Sequence, residues 1–140
     1  MKAYLTKRYR FSASHRLHSE QMTTEENAAT YGKCNNPYGH GHNYALEVTV
    51  SGRVDPRTGM VCDLGVLDAV VEREVIERFG HENLNTLPQF VDKVPTSENL
   101  AAEVFNILRR EFTAAHLEKV RLEETSLNSF EYAGGAETIW

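Results

Sequence analysis

The stretch Tyr31-Gly-Lys-Cys-Asn-Asn-Pro-Tyr-Gly-His-Gly-His-Asn-Tyr44 decides how the rest of the chain is interpreted. His40 and His42 lie two residues apart. Successive side chains of an extended strand point to opposite faces, so these two imidazoles share one face. Cys34 lies six residues before His40, behind a segment whose Asn, Pro and Gly residues are typical of a loop. The stretch therefore predicts a loop that leads into a strand, with a thiol close to two imidazoles.

The strand that follows this loop carries both histidines on its apolar face. It is predicted to run from His40 to about Val54, and its even-numbered positions hold His40, His42, Tyr44, Leu46, Val48 and Val50. A first strand over about Tyr4 to His15 alternates in the same way, with one face formed by Tyr9, Phe11, Ala13 and His15. If the two strands pair antiparallel, the end of the first lies beside the start of the second, and three imidazoles converge.

Three histidine nitrogens are typical of a catalytic zinc site that keeps one coordination position open. Two alternatives stay open at this point. Cys34 could complete a closed, structural zinc site, or His15 could be a core histidine and the His40–His42 pair part of a turn without a metal. Cys34 is interpreted as a metal ligand or a reactive thiol, because Lys33 beside it would favour the thiolate. Cys62 is interpreted as buried apolar filler.

The remaining elements follow from periodicity and capping residues. In chain order, they are a short helix Thr24–Tyr31, a hairpin returning strand Met60–Asp63 after the turn at 55–59, a helix from its cap Asp63 to about Phe79, a helix capped by Thr96 or Ser97 and ending near Phe112, and strands at about Leu117–Thr125 and Leu127–Ala133. This order lacks βαβ alternation. It indicates one α+β domain over residues 1–140 with an antiparallel sheet.

Two further residues could carry chemistry. Glu124 shares its strand face with Val120 and Leu122, and a carboxylate that faces a core is costly unless it has partners or a ligand. The alternative is a β-bulge that turns Glu124 back to solvent. His81 follows a predicted helix end in a loop, where a single histidine is more often solvated than catalytic.

Composition excludes several classes of function. The formal net charge of −5 argues against nucleic acid or an anionic membrane as the main partner. No apolar run approaches the roughly 20 residues needed to span a bilayer, and the first residues lack the apolar core of a signal peptide. Two cysteines do not form a disulfide framework. A cytoplasmic protein with free thiols is expected.

Several segments resemble the 6-pyruvoyltetrahydropterin synthase family. They cover essentially the whole chain and comprise Phe11–Leu17, Gly32–Pro37, Gly39–Tyr44, Asp55-Pro56 with Thr58–Met60, His81 with Asn83-Leu84, Thr96–Asn99 and Glu124-Thr125. The related 6-carboxytetrahydropterin synthases of queuosine synthesis share the fold and zinc site. Their cysteine loop is usually shorter than the five residues between Cys34 and His40. Loop length therefore favours the pyruvoyl branch.

The resemblance implies the tunnelling fold (T-fold), in which a four-stranded antiparallel sheet has two helices packed on one face. Three subunits would close a twelve-stranded barrel, and two trimers would stack into a homohexamer with active sites at subunit interfaces. His15, His40 and His42 would bind Zn²⁺. Glu124 would anchor the guanidine-like edge of a pterin, whose pocket Thr96 and Ser97 would line.

The resemblance also implies a reaction, the conversion of 7,8-dihydroneopterin triphosphate to 6-pyruvoyltetrahydropterin with loss of triphosphate. Cys34 would be the base, supported by His81 of a neighbouring subunit. One departure is that Gly80 stands where family members typically have Asp. The absence of that carboxylate weakens the expected proton relay through His81. Glu82, on the other side of His81, is a possible replacement for the carboxylate, but no geometric argument supports it.

Three functions therefore remain in competition. The first is the zinc-dependent lyase that forms the pyruvoyl product, in the route to tetrahydrobiopterin. The second is a 6-carboxytetrahydropterin synthase that acts on the same substrate and releases a two-carbon fragment. The third is a pterin- or zinc-binding protein with weak or no turnover, which the substitution at Gly80 motivates.

Overall fold

The computed structural model describes residues 1–135. Four strands form one antiparallel sheet in the order β1-β2-β3-β4, with bounds β1 Lys2–His15, β2 His40–Arg53, β3 His116–Thr125 and β4 Asn128–Tyr132. The helices are α1 Thr24–Tyr31, α2 Leu64–Val71, α3 Glu77–Phe79 and α4 Ser97–Glu111, with a π-helical segment Glu72–Ile76 that joins α2 to α3. Shorter 3₁₀ turns are formed by Gly32–Asn35, Leu84–Thr86 and Pro88–Phe90.

The helices that follow β2 pack on one face of the sheet and bury its apolar side chains. Leu46 and Val48 of β2 are fully buried in one core with Leu67, Val104 and Leu108 of the helices. The opposite face of the sheet is polar, and there Arg8 and Arg121 both pair with Glu47. The predicted α+β class, with a four-stranded antiparallel sheet and helices on one face, is confirmed.

The predicted strand Met60–Asp63 is wrong. Val61 and Cys62 form a bend, and Met60 and Asp63 have no regular secondary structure. The reason is that β2 already pairs with β1 along one edge and with β3 along the other, so no edge is left for a hairpin partner. Val61 instead packs over Gly52, where an added Cβ would lie 3.4 Å from Val61 Cγ1.

The long helix predicted to end near Phe79 exists, but it is not regular. Its centre widens into the π-helical segment, in which Glu74 is buried and accepts hydrogen bonds from Arg73 at 3.0 Å and Arg78 at 2.6 Å. These two guanidinium groups neutralise the buried carboxylate.

Among residues 1–135, none of the helices has both the length and the apolar character needed to cross a bilayer.

The loop between β1 and β2 is held by local hydrogen bonds. The predicted capping box of α1 is present, since Thr23 Oγ1 accepts from the Glu26 N–H and the Glu26 carboxylate accepts from the Thr23 N–H. Asn27 is completely buried, and its amide donates to the carbonyls of Ser19, Met22 and Thr23. This internal bonding gives the loop a defined shape and fixes the approach of Cys34.

Candidate active site

The ends of β1 and β2 bring three histidines together. The strand register pairs His15 with His40 and Ala13 with His42. The Nε2 atoms of His15 and His42 lie 3.2 Å apart, and Cys34 Sγ lies 3.0 Å from His40 Nε2. One side-chain donor atom from each of these four residues lies within 4.8 Å of all the others. The side chains thus meet where strand alternation predicts that they should.

Gly39 allows this convergence. It has φ 67, and a Cβ built there would lie 2.6 Å from the carbonyl oxygen of His15, which is closer than side-chain carbons approach backbone oxygens. Leu17 N–H also donates to the Cys34 carbonyl at 2.7 Å, which ties the cysteine turn to the chain that follows β1. The glycine and this bond together bring Cys34 and His40 to the end of β1.

The hydrogen bond of His15 aims its second nitrogen at the cluster. His15 is 1% exposed, and its Nδ1 lies 2.9 Å from the Pro95 carbonyl oxygen. A carbonyl can only accept, so Nδ1 carries the proton and Nε2 keeps its lone pair. Burial lowers the pKa of His15 and also that of His42, so both rings favour the neutral form that metals bind.

The donor set fits a transition metal. In tetrahedral zinc coordination, a Zn–N distance of about 2.0–2.1 Å places neighbouring nitrogens about 3.3 Å apart. The separation of 3.2 Å between His15 Nε2 and His42 Nε2 agrees with that geometry. His15, Cys34, His40 and His42 could therefore hold a metal ion, and the group accommodates Cys34 either as a fourth ligand or as a thiol beside an open position.

The environment of Cys34 differs from the one expected from the sequence. Burial raises the pKa of its thiol, and the charge of Glu124 raises it further. This direction is opposite to the effect expected of Lys33, whose side chain is exposed. Burial and Glu124, and not Lys33, therefore set the direction in which the pKa of this thiol moves.

Glu124 lies beside the histidines. The pairing of β3 with β4 shifts between Glu123 and Thr125, so a bulge does occur at this position. The bulge does not expose Glu124, because its side chain is only 15% accessible and its Oε1 lies 3.8 Å from His42 Nε2. The Glu124 carboxylate also accepts a hydrogen bond from the hydroxyl of Ser97. A partly buried carboxylate therefore lies next to the cluster that could hold a metal ion.

Comparison with known proteins identifies the family of the chain. A family model described as 6-pyruvoyl tetrahydropterin synthase matches residues 4–135. The chain belongs to this family. The 6-pyruvoyl tetrahydrobiopterin synthase of Poecilia reticulata is 46% identical over 132 residues, covering 94% of this chain and 90% of that protein. The Homo sapiens protein of the same name is 44% identical over 133 residues, with 94% and 92% coverage.

A solved structure gives the same answer. The Caenorhabditis elegans 6-pyruvoyl tetrahydropterin synthase superposes with a TM-score of 0.92 at 42% identity, covering 96% of this chain and 97% of that one. The predicted T-fold is thereby confirmed. The predicted enzyme class, a carbon–oxygen lyase acting on phosphates, is confirmed at the level of the family.

His81 lies apart from the histidine cluster in this subunit. Its side chain is exposed, its φ is 61, and its N–H donates to the Ser12 carbonyl at 2.5 Å. It borders a cavity of about 280 Å³ that is also lined by Ser12, Asn43 and His42. The Ser12 hydroxyl donates to the side-chain oxygen of Asn43 at 2.6 Å on the polar side of the sheet. Among the described residues, the group around His15 therefore does not include His81.

Gly80 is fixed by its contact with the preceding helix. Its N–H donates to the Ile76 carbonyl at 2.8 Å, and a Cβ built on Gly80 would lie 2.5 Å from that same oxygen. An aspartate at this position would require the helix end to move. Glu82 does not replace the missing carboxylate in this subunit, because residues 1–135 contain no ion pair between Glu82 and His81.

The two predicted pocket residues at the start of α4 use their hydroxyls differently. Thr96 is the N-cap, and its Oγ1 accepts from the Asn99 N–H at 3.2 Å. Ser97 is 1% exposed and donates to Glu124. Thr96 thus uses its hydroxyl as an acceptor and Ser97 as a donor, and a pterin-binding role stays a prediction for both residues.

Two groups of the site were not singled out from the sequence. The Pro95 carbonyl that orients His15 leaves no sequence signal, since any residue supplies a carbonyl. Tyr44 did carry one, because it follows His42 on the same face of β2. It is 1% exposed, its ring stacks on Phe11 at 5.2 Å, and its buried hydroxyl has no hydrogen-bond partner among the described residues. Burial raises the pKa of this phenol.

Proposed function

We propose that this chain is a zinc-dependent lyase that converts 7,8-dihydroneopterin triphosphate to 6-pyruvoyltetrahydropterin and releases triphosphate. The observation that carries the proposal is the cluster of His15, His40, His42 and Cys34 with Glu124 beside it. Relatives that are named for the pyruvoyl product cover more than nine-tenths of this chain, which favours this product over the carboxy product. The length of the loop between Cys34 and His40 supports the same choice.

His15, His40 and His42 are the proposed zinc ligands. The convergence of their ring nitrogens and the orienting bond from His15 to Pro95 suit zinc coordination. A bound zinc ion supplies a Lewis acid that lowers the pKa of substrate hydroxyls and stabilises negative charge on their oxygens. Cys34 then remains outside the ligand set, and its sulfur is free to accept a proton.

The chain's own residues divide the chemistry between binding and proton transfer. Glu124, held by Ser97, accepts hydrogen bonds from the amino and amide N–H groups of the pterin ring. Cys34 as thiolate removes a proton from a side-chain carbon, and the electron pair left on that carbon forms a double bond as the C–O bond to triphosphate breaks. A cation held by the nearby imidazoles would favour the thiolate form of Cys34.

We infer that His81 acts on a neighbouring subunit, in an assembly of two stacked trimers. Among the described residues, the group of four donor side chains that contains Cys34 does not include His81, which supports this arrangement. Strands β1 and β4 are the sheet edges, so subunits could pair edge to edge to close a barrel. Residues 1–140 acting as a single domain, and a cytoplasmic location, belong to the same proposal.

Product analysis tests this function. Purified protein is mixed with 7,8-dihydroneopterin triphosphate, and the pterin and small-molecule products are identified. Formation of 6-pyruvoyltetrahydropterin with one triphosphate per turnover is expected. Release of acetaldehyde would instead identify a 6-carboxytetrahydropterin synthase. Unchanged substrate despite tight binding would identify a binding protein in which Gly80 has removed the relay.

A further inference from the structure

The Tyr44 hydroxyl is a buried polar group without a partner. Tyr44 is 1% exposed, and none of the described residues forms a hydrogen bond with its Oη atom. Its ring is fixed by stacking on Phe11 at 5.2 Å and by an edge contact with His42 at 5.7 Å between ring centroids. Buried polar groups in folded proteins are nearly always paired, so an unpaired one beside an active site calls for a functional reason.

The best candidate acceptor for the Tyr44 hydroxyl is the Glu124 carboxylate. Strand register pairs Ala45 with Glu123, so Tyr44 and Glu124 are cross-strand neighbours at the next position, and both belong to the face that carries the histidines. Ser97, Glu124 and Cys34 are near enough to influence the pKa of the phenol, which burial raises. Ser97 gives its one proton to Glu124, so its oxygen could only accept from Tyr44, and the charged Glu124 carboxylate is the stronger acceptor of the two.

The carboxylate has room for a second donor. One of its oxygens, Oε2, accepts from Ser97, whereas Oε1 lies 3.8 Å from His42 Nε2, which is too far for a hydrogen bond. Once His42 Nε2 shares its lone pair with a metal ion, it has no proton to offer Glu124. Among the described residues, the Tyr44 hydroxyl is then a donor near the carboxylate that has no partner of its own.

We propose that Tyr44 is a positioning residue for Glu124: its hydroxyl donates to the carboxylate when a pterin occupies the site. The inference rests on the proposed function and assigns Tyr44 a role in binding. With Ser97 on one oxygen and Tyr44 on the other, the carboxylate is held from two sides and presents its remaining lone pairs to the two N–H groups of the pterin edge. Tyr44 itself does not touch the reacting atoms.

The test compares Tyr44→Phe with Tyr9→Phe. Tyr9 of β1 is also packed against the core, but its hydroxyl donates to Asp68 at 2.7 Å, away from the cluster. Tyr44→Phe should keep the wild-type zinc content and thermal unfolding temperature, because it removes a hydroxyl that has no partner. It should weaken the binding of fluorescent neopterin about 5- to 50-fold and raise KM more than it lowers kcat. Tyr9→Phe should lower the unfolding temperature and leave neopterin binding unchanged.

Several outcomes would overturn the inference. Unchanged neopterin affinity in Tyr44→Phe, or a loss of zinc or stability that accounts for the weaker binding, would show that Tyr44 is structural. A neopterin-bound crystal structure shows whether Tyr44 acts through Glu124. We expect the Tyr44 Oη within 3.2 Å of a Glu124 oxygen. An Oη atom that is bonded to the pterin itself, or that is still unpaired, would contradict a positioning role. If wild-type protein fails to bind neopterin at all, the proposed function fails instead, and the two failures are distinguishable.

Discussion

The hydroxyl of Ser97 donates to the carboxylate of Glu124, which joins the first turn of α4 to the bulged end of β3. Hydrogen bonds to charged groups are worth about 1.5–3 kcal/mol, so removing this one should matter for pterin binding. We expect Ser97→Ala to raise KM for the pterin substrate about 10- to 100-fold, with a smaller effect on kcat. Steady-state kinetics measure both values. Ser12→Ala is the control, since its hydroxyl bonds Asn43 on the polar face. Equal KM values in Ser97→Ala and wild type would contradict the prediction.

Gly80→Asp restores the residue typical of the family but should not restore a relay. Its Cβ would lie 2.5 Å from the Ile76 oxygen, so the helix end must shift. We expect a loss of stability of about 1–3 kcal/mol and no gain in kcat. Thermal unfolding and turnover are measured beside Gly52→Ala, whose added methyl lies at 3.4 Å from Val61 Cγ1. A variant that is as stable as wild type and faster would show that the turn accepts a side chain.

Mixed oligomers test whether Cys34 and His81 from different subunits complete one site. Cys34→Ala and His81→Ala should each be nearly inactive alone. When the two chains are unfolded and reassembled together, about a quarter of the sites should combine an intact Cys34 with an intact His81. Activity of the mixture should therefore recover toward about a quarter of the wild-type value. A mixture as inactive as its components would place both residues within one chain.

The Glu74 ion pairs predict a pH-dependent stability. The hydrogen bond from Arg73 and the charges of Arg73 and Arg78 hold the pKa of Glu74 below its ordinary value of 4.5. A carboxylate with a lowered pKa stabilises the fold above its ordinary pKa, and this stabilisation is lost as the pH falls through the lowered value. Glu74→Gln should lower Tm by about 2–5 °C at pH 7, and the difference from wild type should shrink below about pH 4. Glu77→Gln, at an exposed position of the next turn, is the control. A difference that stays constant down to pH 3 would rule out this cause.

Strand alternation was sufficient to predict the histidine cluster. His15, His40 and His42 each sit on an apolar face near a strand end, and antiparallel pairing makes those ends adjacent. The same logic placed Glu124 inward, and a bulge at that position did not reverse it. Side-chain direction along a strand is a local property, so a single sequence contains it.

Features that depend on distant contacts were not predictable. The strand expected at Met60–Asp63 fails because both edges of β2 are occupied, which only the complete sheet reveals. The π-helical segment around Glu74 keeps the apolar spacing of an ordinary helix and so leaves no distinct pattern. The thiol of Cys34 was expected to respond to Lys33, its sequence neighbour, but burial and Glu124 dominate its pKa.

Zinc content of the Cys34→Ala variant is the most direct measurement of whether three histidines form the metal site and leave Cys34 free to act as a base. Wild-type protein and the variant are purified without chelator, and metal per chain is determined by mass spectrometry beside turnover. We expect about one zinc per chain in both proteins, with turnover lost only in the variant. Loss of zinc together with Cys34 would make the cysteine a ligand, and a metal-free wild type that still turns over substrate would contradict a zinc mechanism.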